Sequence, residues 1–154
     1  MSILHVEPTR IAQWRTLVIE GQEKSGFQLN EGMESYVVMT LDAYTTEINL
    51  SSAVLAIDFL KNVHVTSTLA MHALREVGDQ CLILSGLFPQ RVLRKNVSEH
   101  YFIQLGKNAY HVLSYASIAK QLDHSLFFQL FESFSELTQV LKAMRLGNNT
   151  MPTH

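Results

Sequence analysis

Apolar side chains in this chain recur three and four positions apart, and no stretch alternates with period two for long. That spacing puts apolar residues on one face of an α-helix, so it predicts helices along nearly the whole chain. The clearest stripe has a 3-4-3-4-3 spacing and consists of Phe127, Leu130, Phe134, Leu137, Leu141 and Met144. It predicts one helix that packs lengthwise against others.

Capping and breaking residues place the helix boundaries. Pro8 suits the first turn of a helix that ends near Gly26. Asn30 is the predicted N-cap of the next helix, and Ser98 is predicted to begin a later one. We expect the helix that follows Ser98 to run with little interruption into the last one.

Two further helices are predicted in the middle of the chain. Residues 50–62 form a short amphipathic segment, and a long apolar helix runs from Thr68 to about Leu84. Gly86 and Pro89 interrupt that long helix. The sequence therefore predicts an all-α, single-domain bundle of six to seven helices over residues 1–146, with a kinked central helix near Gly86/Pro89 and a flexible tail at 147–154.

Composition supports a globular interpretation. The 154 residues are 47% hydrophobic and 17% charged, and the formal net charge of −2 gives no field that would attract nucleic acid. The longest apolar run, "CLILSGLF", is far short of the roughly 20 residues that span a bilayer. The N-terminal "MSILHVEPTR" lacks signal-peptide features, and the single Cys81 excludes an intramolecular disulfide. We expect a cytoplasmic protein.

Charge is segregated along the chain. No basic residue lies between Lys24 and Lys61, whereas this interval holds Glu31, Glu34, Asp42, Glu47 and Asp58. The acidic faces either complement basic ones within the fold or across a dimer, or form a contact surface for a partner protein. Later, Arg91, Arg94 and Lys95 form a basic cluster that could bind an anion.

A motif in the second half of the chain carries a resemblance. It consists of Leu74-Arg75, Gly78-Asp79, Leu82, Ser85-Gly86, Phe88-Pro89, Val97, Tyr101, Gly106 and Ala109-Tyr110, followed by "LFFQLFESFSELTQVL". This pattern resembles a family of small, uncharacterised bacterial proteins with an "LRxxGDxxLFxSGFFP…YY…G…AY" core. It departs from that family at Cys81, Ile83, Leu87 and Ser135. No activity is known for the family, so the resemblance implies a fold and boundaries over about residues 69–144, and no catalytic residue.

The same motif contains the candidate site. Arg75 and Asp79 are separated by one helical turn and can form an ion pair, and Gly78 and Gly86 favour close approach by a neighbouring helix or a cofactor. A polar cluster of Arg75, Asp79, Ser85, Tyr101 and Tyr110 inside the bundle is one hypothesis. Such a cluster can fix helix register, bind a ligand or catalyse a reaction, and these alternatives stay open.

Most catalytic and metal motifs are missing. Seven histidines are present, but HExxH, ferritin-like and Cys/His spacings are not, so we expect no metal site and no cofactor. Cys81 lies in an apolar part of its helix, which disfavours a reactive thiolate. A helix-turn-helix around residues 55–77 would offer Arg75 as its one useful cation, which makes nucleic-acid binding a poor hypothesis.

Two functions are therefore predicted. The first is a non-enzymatic protein–protein interaction or regulatory module that acts as a homodimer, with the acidic 31–58 region and Phe127, Phe128, Phe131 and Phe134 as contact surfaces. The alternative is a small-molecule binder or enzyme with a polar pocket around Arg75, Asp79, Tyr101 and Tyr110. In the alternative, Arg94 is a candidate for recognising an acidic group.

Overall fold

A computed structural model of the chain describes residues 8–44, 68–88, 98–116 and 123–147. All regular structure in these ranges is helical, which confirms the predicted all-α class. The helices are α1 (Pro8–Ser25), α2 (Glu31–Tyr44), α3 (Thr68–Leu87), α4 (Glu99–Tyr115), α5 (His124–Glu132) and α6 (Phe134–Gly147). The helix predicted for residues 50–62 lies outside the described residues, as do Pro89 and Arg94.

The predicted caps are confirmed. Gly26 follows α1 with a positive φ of 81°, and its N–H donates to the Gln22 carbonyl oxygen at 2.9 Å. The Asn30 side chain accepts from the Met33 N–H at the start of α2. Ser98 does the same for the N–H of Tyr101 at the start of α4. Each boundary is set by a residue that satisfies backbone groups left free at a helix end.

The central helix is α3, which packs mainly against α4 and α6 and also contacts α2. Helix α1 packs against α6 and α2, and α5 lies on α4. One buried apolar cluster draws residues from each of these helices, among them Trp14, Val37, Leu82, Phe102, Leu130 and Phe134. Burial of this shared surface is the main driving force that holds the described helices together.

Two glycines on α3 mark close helix contacts. A Cβ atom on Gly78 would lie 2.6 Å from the Tyr110 ring of α4, and one on Gly86 would lie 2.6 Å from Leu141 of α6. The helix continues through Gly86 to Leu87, so the end predicted near Leu84 falls too early. Gly86 is therefore a packing position inside the helix, where a larger side chain would push α6 away.

The last predicted helix is divided into two. Ser133 leaves the helical conformation between α5 and α6, although its N–H still donates to the Gln129 carbonyl oxygen. The break lets α5 pack on α4 while α6 packs on α1 and α3.

Helix α4 ends at Tyr115, with Ala116 extended, so the predicted continuation toward the last helix is also wrong. The apolar stripe itself is confirmed, because all its members are buried.

Two acidic residues of α2 are paired with arginines of α1. Arg10 of α1 contacts Asp42 through two nitrogen–oxygen pairs, and Arg15 lies 3.1 Å from Glu34. Since these pairs are partly exposed, each adds little stability. They do reduce the part of the acidic region that is left for a partner protein.

The contact at Gly78 gives a first prediction. Replacement Gly78→Ala should lower the free energy of unfolding by at least about 1 kcal/mol, because the clash with the buried Tyr110 ring outweighs the gain in helix propensity. Gly32→Ala is the matched control, since no heavy atom lies closer than 3.5 Å to its added Cβ. The control should be neutral or stabilising by up to about 1 kcal/mol. Urea denaturation measures both variants, and equal responses would contradict the packing argument.

Candidate functional site

The carboxylate of Asp79 lies where α2, α3 and α4 meet. Its Oδ1 atom accepts a hydrogen bond from the Tyr36 hydroxyl of α2 at 2.6 Å and another from the Tyr110 hydroxyl of α4 at 2.7 Å. All three residues are buried, and Asp79 is only 4% exposed. A single oxygen atom therefore connects two helices to α3.

The packing of the two tyrosine rings places the hydroxyls of Tyr36 and Tyr110 next to Asp79 Oδ1. The absence of a side chain at Gly78 lets the Tyr110 ring lie against α3, one residue before Asp79. The rings of Tyr36 and Tyr110 meet edge to face with centroids 6.2 Å apart, and Phe127 of α5 packs against both. Because the rings are fixed by apolar contacts, their hydroxyls are held in place before any ligand arrives.

Arg75 lies one turn before Asp79 on α3 and closes one side of the cluster. Its Nε atom donates to the Tyr36 hydroxyl oxygen at 3.2 Å, and its guanidinium carbon lies 5.3 Å from the Tyr36 ring centroid. The distance from Nε to Asp79 Oδ2 is 3.9 Å, which is too long for a hydrogen bond. The predicted pair is thus present as an ion pair, between a buried carboxylate and an arginine side chain that is 46% exposed.

Burial controls the protonation of the cluster. It raises the pKa of Asp79 to about 6, although the hydrogen bonds from Tyr110 and Tyr36 and the charge of Arg75 oppose it. Burial, together with the Asp79 charge, also raises the pKa of both Tyr36 and Tyr110 far above the ordinary value. The two phenols therefore stay protonated as donors, while Asp79 changes charge near neutral pH.

A cleft of about 360 Å³ opens between α2 and α3 beside this cluster. Its lining consists of Tyr36, Met39, Thr40, Ala43, Tyr44, His72, Arg75, Glu76 and Asp79. Burial raises the pKa of Tyr44 to about 12, and the carboxylates of Asp79 and Glu76 add to that rise while Arg75 opposes it. The cleft thus combines two carboxylates and one guanidinium with tyrosine and methionine surfaces.

Two groups on this cleft keep unused hydrogen-bonding capacity. Asp79 Oδ2 accepts no hydrogen bond from the residues that the structure describes, since both tyrosines donate to Oδ1. The terminal nitrogens of Arg75 likewise donate to none of those residues, because only Nε is engaged. Among the described residues, an acceptor and a set of donors of opposite charge therefore lie side by side on the cleft.

The cluster includes only some of the residues predicted from the sequence. Arg75, Asp79 and Tyr110 come together, whereas Tyr101 is exposed and meets the edge of Phe102. Nine residues separate Tyr101 from Tyr110, which at about 100° per residue puts them on opposite faces of α4. Ser85 is buried, but its hydroxyl has no hydrogen-bond partner among the described residues. The hypothesis of one cluster is therefore wrong for Tyr101 and Ser85.

Sequence reasoning missed Tyr36 as a member of the site. This residue lies on the buried face of α2, beside Met33, Val37 and Leu41. A buried tyrosine hydroxyl needs a hydrogen-bond partner, and that requirement was the available signal. Its partner, Asp79, lies 43 residues later in the chain, so helical spacing could not identify it.

The phenylalanines predicted as an interface divide into two groups. Phe127 and Phe134 are buried in the core, so they cannot contact a partner in the folded chain. Phe128 is 43% exposed, and the half-buried Phe131 stacks on His111 with centroids 4.4 Å apart. Tyr115 extends this surface beyond His111. We call Phe128, Phe131, His111 and Tyr115 the aromatic row.

No metal group or membrane-spanning helix in the described ranges, and no similar protein, indicates a function for this chain. Within the described ranges, no three histidine, cysteine or acidic side chains are grouped so as to hold a metal ion. None of the described helices has both the length and the apolar character of a membrane span. No protein-family model, curated protein or solved structure matches the chain. The resemblance noted from the sequence motif therefore stays a prediction.

The raised pKa of Asp79 predicts a specific pH dependence of stability. The pKa is about 6 in the folded state against 3.8 in the unfolded chain, so the folded state binds more protons between these values. The contribution of Asp79 to stability is therefore fully present below pH 3.8 and is lost as the pH rises through about 6. Replacement Asp79→Asn removes this dependence.

Chemical denaturation over a pH series measures the effect. The stability of Asp79→Asn relative to the unmodified chain should rise by about 2 kcal/mol between pH 4 and pH 7. Tyr110→Phe removes a hydrogen bond that lowers the pKa of Asp79, so it should move the transition to higher pH. Parallel pH profiles for Asp79→Asn and the unmodified chain would show that Asp79 does not titrate in this range.

Proposed function

We propose that this chain is a small-molecule-binding protein whose site is the cleft between α2 and α3. One observation carries the proposal: Asp79 and Arg75 both line this cleft, and Asp79 Oδ2 and the terminal nitrogens of Arg75 have no hydrogen-bond partners among the described residues. Asp79 is buried, and buried polar groups are nearly always paired in folded proteins. A ligand that pairs with both groups would complete the arrangement.

The cleft also has the general properties of a ligand site. Its volume of about 360 Å³ falls within the range of small-molecule pockets, and it lies between helices of a bundle. Its polar groups are held by a buried tyrosine network, so little ordering is needed when a ligand binds. We propose binding rather than nucleophilic catalysis by a thiol, because burial raises the pKa of Cys81 and makes that thiol a poor nucleophile.

A ligand screen by thermal shift tests this function. We expect at least one compound to raise the melting temperature, and the shift should disappear in Arg75→Gln. Arg75 is about half exposed, so this variant should fold. Lys24→Gln removes an exposed cation at the end of α1 and should keep the shift. A shift that survives Arg75→Gln would place the ligand elsewhere.

A second candidate is self-association through the aromatic row, in line with the predicted homodimer. The observation in its favour is the exposure of Phe128, at 43%, and of Tyr115, at 62%, on one aromatic surface. The Lys107 ammonium lies 5.6 Å from the Phe131 ring centroid and gives this surface a basic edge. Exposed aromatic groups of this kind are enriched in protein interfaces.

The oligomeric state decides this second candidate. Sedimentation equilibrium should give a dimer mass for the unmodified chain and a monomer mass for Phe128→Glu, because burying the new carboxylate without a partner is costly. Phe27→Glu changes an exposed aromatic residue outside the aromatic row and should leave the mass unchanged. A monomer at all concentrations for the unmodified chain would exclude the homodimer.

A further inference from the structure

The open groups of the cleft define the chemistry of a ligand, provided that the proposed function holds. Asp79 Oδ2 lies 3.9 Å from Arg75 Nε, and the open terminal nitrogens belong to the same guanidinium, so the open acceptor and the open donors belong to neighbouring groups of opposite charge. A ligand with one charge can pair with only one of them. The other would then be covered by the ligand without a partner, and covering an unpaired charge is costly.

The carboxylate side of the site fits an ammonium group. Both tyrosine hydroxyls donate to Oδ1, which leaves Oδ2 as an acceptor without a hydrogen bond from the described residues. Glu76 lines the same cleft and adds a second carboxylate. An ammonium has three donors and no acceptor, so it can pair with these oxygens without competing for the tyrosine hydroxyls.

The arginine side of the site fits a carboxylate group. Hydrogen bonding to Tyr36 holds Nε, and the guanidinium carbon lies over the Tyr36 ring, 5.3 Å from its centroid. These contacts restrict the rotamers of Arg75 and present its two terminal nitrogens as a fork. Such a fork binds a carboxylate through two parallel hydrogen bonds.

We propose that the cleft binds a small zwitterion of the α-amino acid class, with its ammonium on Asp79 and its carboxylate on Arg75. In an α-amino acid the ammonium and the carboxylate are attached to the same carbon atom. This short separation suits two neighbouring protein groups of opposite charge. The side chain of the ligand lies against Met39 and Tyr44, which supply the less polar part of the cleft lining. A phosphate or other polyanion is disfavoured because Asp79 and Glu76 would repel it.

Titration calorimetry with matched compounds tests this class of ligand. The panel contains the twenty common amino acids, and each one that binds is compared with its two single-charge analogues. For L-leucine these are 3-methylbutylamine, which lacks the carboxylate, and 4-methylpentanoate, which lacks the ammonium. We expect each analogue to bind about tenfold more weakly or worse, because each loses one charge-assisted hydrogen-bonding group.

Two variants separate the two halves of the site. Asp79→Asn keeps an amide oxygen for the tyrosine hydroxyls and turns an NH₂ group toward the cleft, so it should reduce binding of the amino acid and of the amine. Arg75→Gln should reduce binding of the amino acid and of the carboxylate, and Lys24→Gln should change neither. Arg75→Gln keeps the test valid even if Asp79→Asn is poorly folded.

The outcomes show whether the zwitterion proposal fails alone or together with the proposed function. If a single-charge compound binds as tightly as the amino acid and loses affinity in Arg75→Gln or Asp79→Asn, the cleft is a ligand site but the zwitterion proposal is wrong. If an amino acid binds equally well to both variants, its site lies elsewhere and the proposal is also wrong. If neither the amino acids nor any compound of the thermal-shift screen binds, the zwitterion proposal and the proposed function fall together.

Discussion

The two hydrogen bonds that meet at Asp79 Oδ1 are the interaction on which the described fold and its candidate site both depend. They connect α2 and α4 to the central helix α3 inside a core where water cannot replace them. An ionised carboxylate in such a place is costly, and the two phenol donors offset part of that cost. Asp79 therefore joins three helices, and its charge depends on pH. The free-energy cost of burying its ionised carboxylate has to be offset by the neighbouring groups.

The structural and functional roles of this junction follow from the same geometry. Both tyrosines use Oδ1 and Tyr36 engages Nε of Arg75, so among the described residues Oδ2 and the terminal nitrogens of Arg75 have no hydrogen-bond partner. A network that satisfied every group would only fix the helices. The incomplete pairing on one side is what makes this network a candidate binding site.

Close helix packing brings the junction together. Gly78 allows the Tyr110 ring to reach α3, and Gly86 allows α6 to approach near the other end of the same helix. The break at Ser133 lets α5 and α6 follow different neighbours, and it directs Phe127 and Phe134 into the core while Phe128 stays exposed. The aromatic row therefore consists of side chains of α4 and α5 that the core does not fully enclose.

The sequence by itself determined the features that depend on neighbouring residues in the chain. The all-α class, the caps at Asn30 and Ser98, the buried stripes and the pairing of Arg75 with Asp79 all act within one or two helical turns, where geometry is fixed. The tertiary structure decided the remainder: Tyr36 joins Asp79 across 43 residues, and the break at Ser133 follows from where α5 and α6 find partners. Such contacts depend on the rotation of each helix about its own axis and on the crossing angles between helices. The spacing of residues along the chain does not specify these quantities.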